Sequence, residues 1–132
     1  GIVIGYEIGK LLKKETIFCE RVKGKFTLRR GFFIKKNSRV MIIEDVITTG
    51  KSSMECVKLI KKAKAKLIGF ATIIDRSTKK SLKIKKKIIS HLKINVPIES
   101  HTQKSQPHCV MRGFAKSVEI IEENNQKTAL IA

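Results

Sequence analysis

Glu44 and Asp45 stand side by side at the end of the apolar run Val40-Met41-Ile42-Ile43, and Val46-Ile47 leads from them into Thr48-Thr49-Gly50-Lys51-Ser52. Each half of this stretch has its own chemistry. Adjacent carboxylates accept hydrogen bonds from paired hydroxyls, and a ribose 2′,3′-diol presents such a pair. Hydroxyl residues around a glycine, opening a helix, offer a phosphate side-chain donors, backbone N–H groups and the positive end of a helix dipole. Gly50 gives that turn its freedom in φ. The ending Thr49-Gly50-Lys51-Ser52 also looks like a nucleotide P-loop, but that pattern needs a second glycine, separated from the Gly-Lys pair by four residues. Asp45 holds that place, and a carboxylate there repels phosphate. The stretch therefore reads as two sites in series, a diol clamp and then a monophosphate cradle, and the ligand that joins them is a ribose 5-phosphate. The competing reading is a strand, a loop and a capped helix with no ligand; adjacent acids ending an apolar strand count against it.

The flanking elements must place these groups. Ile4, Ile8, Leu11 and Leu12 lie on one helical face within residues 2–14. Residues 16–19 predict a short strand ending at Glu20-Arg21, and the polar, basic residues 22–31 predict a loop or loose hairpin. Residues 39–44 predict a buried strand, apolar from Val40 to Ile43 without alternation, as in a strand covered on both faces. Cys56, Val57, Ile60 and Ala63 predict a helix over 53–64 with lysines opposite, and 67–74 predict a second buried strand ending at Asp75-Arg76. Strand, helix, strand with both strands apolar is a βαβ unit, so the fold class is α/β, a parallel sheet flanked by helices. Ligands of such sheets bind at the carboxyl ends of the strands, where Glu44 and Asp45 stand. Further on, residues 79–92 predict a very basic helix, or a loop leading into one. Residues 94–98 predict a final strand, and 118–123 a short amphipathic stretch in an otherwise polar tail.

Composition bounds the partners. At 132 residues the chain is long enough for one domain with a real core. No apolar run approaches the roughly 20 residues that span a bilayer, and Gly1-Ile2-Val3-Ile4-Gly5 lacks the charged start of a secretory leader. Cys19, Cys56 and Cys109 are odd in number and widely spaced, which points to a reducing, cytoplasmic compartment, and Cys19 and Cys56, in apolar segments, read as core residues. The net charge of +18 attracts anions in general. Its lysines are spread along the whole chain, and with one Tyr and no Trp there is no aromatic-basic interleaving for stacking bases, which weighs against specific nucleic-acid binding. His101, His108 and Cys109 have no second Cys or His at ligand spacing and do not form a metal motif.

Residues 40–52, VMIIEDVITTGKS, closely resemble the phosphoribosyl-pyrophosphate motif of the type I phosphoribosyltransferases. Residues 18–32, FCERVKGKFTLRRGF, and 71–77, ATIIDRS, are similar to the orotate phosphoribosyltransferases of the shorter-loop bacterial kind. The resemblance implies transfer of ribose 5-phosphate from phosphoribosyl pyrophosphate to orotate, giving orotidine 5′-phosphate and pyrophosphate in pyrimidine synthesis. It implies that Glu44, Asp45, Val46, Ile47, Thr48, Thr49, Gly50, Lys51 and Ser52 bind phosphoribosyl pyrophosphate, and that Thr48 and Arg76 contact orotate. Lys51 stands where the family often has Gly, and is expected to be incidental to the cradle. Arg21 and Lys23 match the mobile catalytic loop. Mg²⁺ is expected to be held mainly through substrate oxygens, and the protein to be a homodimer with shared active sites. Residues 1–7 resemble the stretch after the family's pyrophosphate loop, so the expectation is an N-terminally truncated core over 1–98 and a divergent tail over 99–132. The alternatives are a phosphoribosyltransferase for a purine base, an RNA-binding regulatory relative, or an inactive fragment.

Overall fold

The computed structural model describes residues 1–78 and 82–94, and the backbone of 128–131. Its centre is β4 (Arg39–Ile47), which pairs in parallel with β5 (Lys66–Asp75). Val40, Met41, Ile42 and Ile43 are each at most 1% exposed, which is why the sequence shows no alternation here. Met41 and Ile43 pack with Ile8 of the helix α1 (Ile2–Leu12) and with Ala71 of β5. Val40 and Ile42 pack with Phe70 and with Cys56, Val57 and Ile60 of the helix α2 (Lys51–Lys62). One helix thus covers each face of the sheet. Each such buried aliphatic side chain contributes about 1.5–3 kcal/mol, so β4 and its two covering helices dominate the stability of the unit.

The described sheet is parallel throughout, in the order β1 (Thr16–Ile17), β7 (Thr128–Ile131), β4, β5, β6 (Ile88–Lys93). A separate antiparallel hairpin joins β2 (Cys19–Val22) to β3 (Lys25–Leu28). Lys23 and Gly24 link them with φ of 47° and 78°, and two positive φ values make the type I′ turn whose twist suits a two-residue hairpin. The strand expected over 16–19 is therefore split: two residues join the main sheet, and Cys19 already starts the hairpin.

Other boundaries differ too. The strand expected to end at Glu44 runs on to Ile47, because β5 keeps pairing with it through Val46↔Ile74 and Ile47↔Asp75. Helix α2 begins at Lys51, two residues before the expected start. The basic helix expected over 79–92 is not formed among its described residues: 82–87 are irregular and 88–93 are β6, in register with β5 from Phe70↔Ile88 to Asp75↔Lys93. The physical reason is the open edge of β5. Ile88 and Ile89 suit a strand beside it, whereas Lys83 and Lys85 to Lys87 give a helix no apolar face to bury. Residues 95–98 and 118–123 lie outside the described residues.

Gly9 lets α1 approach β1 closely. A Cβ there would collide with Thr16 Oγ1 and come within 3.1 Å of the Lys14 carbonyl oxygen. Thr16 Oγ1 itself donates to the Gly5 carbonyl at 3.3 Å. A mid-helix Gly→Ala change ordinarily gains up to about 1 kcal/mol in helix propensity. Overpacking should outweigh that here, and Gly9→Ala is expected to destabilise the fold by about 1–3 kcal/mol in urea unfolding.

Candidate active site

Successive strand residues point to opposite faces, so Glu44 and Asp45 would diverge if nothing steered them. The start of α1 is where they meet. The Gly1 nitrogen lies 3.5 Å from Asp45 Oδ2, and a Cβ on Gly1 would lie 3.6 Å from Glu44 Oε2. Each carboxylate is fixed through its other oxygen. Ser53 Oγ donates to Glu44 Oε1 at 3.0 Å, and the Val46 N–H donates to Asp45 Oδ1 at 2.8 Å. Burial pushes the Glu44 carboxyl up, and Asp45 adds to that; the Ser53 hydroxyl opposes it without prevailing. Asp45 is 62% exposed; burial would raise its carboxyl, but backbone hydrogen bonds led by the Val46 N–H help hold it below the usual range. The two neighbouring acids are thus driven apart in acidity.

Beyond them the chain forms the cradle. Gly50 caps α2 with φ of 69°, and the Lys51 N–H donates to Thr49 Oγ1 at 3.3 Å. The Thr49 carbonyl accepts from the Lys83 N–H at 3.1 Å, which ties the loop to the segment after β5. Thr48, Thr49, Lys51 and Ser52 are exposed. Residues 44–53 together line a concave pocket of about 200 Å³. All nine residues from Glu44 to Ser52 expected to bind phosphoribosyl pyrophosphate are among them.

The remaining expected residues are placed differently. The Arg76 N–H donates to the Ile47 carbonyl at 2.8 Å, so Arg76 leaves β5 beside the pocket mouth without lining the pocket itself. Asp75 does not pair with it among the described residues: Asp75 Oδ1 accepts from the Ser77 N–H at 2.8 Å, and Oδ2 faces Lys93 Nζ at 3.6 Å. Arg21 points toward α2. Its guanidinium lies 3.5 Å from Glu55 Oε2 and 4.4 Å above the Phe26 ring, and it donates to the Gly24 carbonyl at 2.8 Å. Lys23 is exposed at the hairpin tip.

Two contributors lie outside the recognised motif. Ser53, only 2% exposed, anchors Glu44 from the first turn of α2. Thr72, fully buried and in register with Glu44, directs its hydroxyl at the Asp45 and Ile74 carbonyls at 2.9 and 3.1 Å. Ser53 directly follows the cradle and could have been found by helical position. Thr72 carries no sequence signal, because its role depends on strand register.

Residues 10–105 match the family described as the phosphoribosyl transferase domain. The chain belongs to that family. The parallel sheet with helices on both faces is accordingly a type I phosphoribosyltransferase fold. Among curated relatives, the orotate phosphoribosyltransferase of Parvibaculum lavamentivorans is 44% identical over 97 residues, 74% of this chain and 50% of that one. That of Chlorobium phaeobacteroides is 49% identical over 80 residues, 61% of this chain and 42% of that one. The chain thus spans about half the length of the curated relatives it matches. Among solved structures, the adenine phosphoribosyltransferase of Leishmania tarentolae overlaps 52% of this chain and 36% of that one, at 26% identity and a TM-score of 0.41.

Two features of this phosphoribosyltransferase domain can be tested by stability. Gly50→Ala puts a Cβ at positive φ and within 2.6 Å of Ile84 Cδ1. A loss of about 1–3 kcal/mol is expected in chemical denaturation. Asp75 is held below its ordinary value: the two Ser77 hydrogen bonds and Lys93 outweigh the burial that would raise it. A depressed carboxylate stabilises the fold above its unfolded pKa, and that contribution is lost as pH falls through the folded value. Asp75→Asn should therefore be less stable than the parent chain by about 1–3 kcal/mol at pH 7. The difference should shrink steadily as unfolding is measured at pH values falling below about 4.

Proposed function

We propose that this chain carries the phosphoribosyl-pyrophosphate site of an orotate phosphoribosyltransferase, acting in pyrimidine synthesis. The observation that carries the proposal is the continuous pocket in which Glu44 and Asp45 adjoin the Thr48–Ser52 cradle. A diol clamp and a phosphate cradle on one wall fit a ribose 5-phosphate. The relatives' shared name extends to this chain through residues 18–32 and 71–77 as well as through the motif.

The geometry supports the following chemistry. Thr48, Thr49, Ser52 and the first N–H groups of α2 hold the 5-phosphate, and Glu44 and Asp45 accept the ribose hydroxyls. As the bond from C1 to pyrophosphate breaks, positive charge builds on the ribose ring, and the two carboxylates stabilise that charge more than the ground state. Arg76, with Thr48, receives the orotate carboxylate; a guanidinium fork suits that group. Arg21 and Lys23 reach the pyrophosphate once the hairpin moves, and exclude water from the cation. Among the described residues no third His, Cys, Asp or Glu joins the acids to form a metal cage. Mg²⁺ would be held mainly through phosphate and ribose oxygens of the substrate, with water completing its shell. Bound there, it would neutralise charge on the leaving pyrophosphate. A homodimer with shared sites and a cytoplasmic setting complete the reading. The free thiols of Cys19 and Cys56 are in keeping with a reducing compartment. Among the described residues no helix is long and apolar enough to cross a membrane.

The direct test is calorimetric binding of phosphoribosyl pyrophosphate with Mg²⁺, together with spectrophotometric loss of orotate. Asp45→Asn should lower kcat/KM about a hundredfold. Arg76→Ala should raise the orotate KM about tenfold or more while leaving phosphoribosyl pyrophosphate affinity unchanged. Consumption of a purine base in place of orotate, or tight RNA binding without turnover, would overturn the proposal.

A further inference from the structure

Ser53 is the buried hydroxyl that the motif leaves unexplained. It occupies the third helical position of α2, after the Gly50 cap, and is 2% exposed. A serine inside a helix ordinarily turns its hydroxyl to the carbonyl four residues back. Here that carbonyl, on Thr49, accepts from Lys83, and Ser53 Oγ reaches instead to Glu44 Oε1 at 3.0 Å. Among the described residues nothing bonds Glu44 Oε2, which lies near the start of α1 where Asp45 Oδ2 also faces. Each acid thus has one oxygen fixed by the protein; Glu44 Oε2 has no bonding partner among the described residues, whereas Asp45 Oδ2 lies 3.5 Å from the Gly1 nitrogen. Asp45 obtains its fixed bond from the backbone of its own strand. Glu44 depends on a side chain from a different element.

We infer that Ser53 is a positioning residue for Glu44, its hydroxyl holding one carboxylate oxygen so that the other is presented to the ribose diol. The inference rests on the phosphoribosyl pyrophosphate reading above. It also explains how clamp and cradle keep a fixed separation, because the helix whose N-terminus forms the cradle also holds the clamp. Burial favours the neutral form of Glu44, and Ser53 is the first group to oppose it. The other charged or titratable groups around Glu44 are Asp45 on β4, Cys56 on α2 and Cys19 on β2. Removing the hydroxyl leaves a half-buried carboxylate without its donor, which favours protonation and loosens its orientation.

The test compares Ser53→Ala with Ser53→Thr by ¹³C NMR titration of the Glu44 carboxyl and by calorimetry with phosphoribosyl pyrophosphate and Mg²⁺. In Ser53→Ala the Glu44 midpoint should move upward and affinity should fall about tenfold. The acid limb of the binding profile should rise in parallel, and Ser53→Thr should restore all three. Ser53→Cys, a weak donor of similar size, carries the same expectation as Ser53→Ala if the alanine variant does not fold. A folded Ser53→Ala with an unmoved midpoint, or with unchanged affinity, overturns the inference, as does a loss confined to thermal stability. Failure of the parent chain to bind phosphoribosyl pyrophosphate would instead overturn the underlying reading, and this inference with it.

Discussion

The burial of β4 on both faces is the constraint on which the rest of the structure depends. Four successive residues, Val40 to Ile43, are withdrawn from water between α1 and α2, so the strand has no freedom to slip or rotate. A one-residue slip would exchange the two faces and bring a charged residue into one of them. The first polar side chains after this run, Glu44 and Asp45, therefore emerge at a fixed height on the carboxyl edge. Parallel pairing with β5 extends the same control beyond them, since Thr72 lies opposite Glu44 and holds the Asp45 carbonyl. The position of the acids is set by the apolar packing of the residues just before them.

Placement alone would not make them a clamp. Alternation sends neighbouring strand side chains apart, and the structure counters this with donors on two elements, Ser53 from α2 and the Val46 N–H from β4 itself. Each donor engages one oxygen, and the start of α1 sits between the two that remain. Two like charges at this spacing resist each other, and the different burial of Glu44 and Asp45 separates their acidity. In the proposed reading, a phosphate a few residues away is tolerable because N–H groups and hydroxyls face it, not these carboxylates.

The hairpin is held far less firmly than the sheet. Arg21 joins it to α2 through a part-exposed ion pair and a cation–π contact. Each of these is worth about 1 kcal/mol or less at such sites. A segment fastened by contacts of that size can leave α2 at modest cost. That is what the proposed movement of its cations toward a bound pyrophosphate requires. Glu20 meanwhile pairs with both Arg29 and Arg30, which keeps two further cations on the same hairpin.

The sequence by itself determined the βαβ core and the chemistry at its edge. An apolar run ended by two acids, followed by hydroxyls around Gly50 and an amphipathic helix, can satisfy burial and polarity together in few ways other than this one. Short-range pattern was enough because those residues are contiguous. It was not enough where the outcome depended on partners far along the chain. Residues 88–93 became β6, not a helix, because the free edge of β5 offered a ladder that a lysine-rich helix could not match with apolar burial. Ser53 and Thr72 gained their roles only when α2 and β5 were set against β4. Arg21 was turned toward Glu55 by the docking of the hairpin, which no spacing in the sequence encodes. Local pattern chose which residues could do chemistry; register and packing between distant segments decided which atoms of those residues are held and which are open to a ligand.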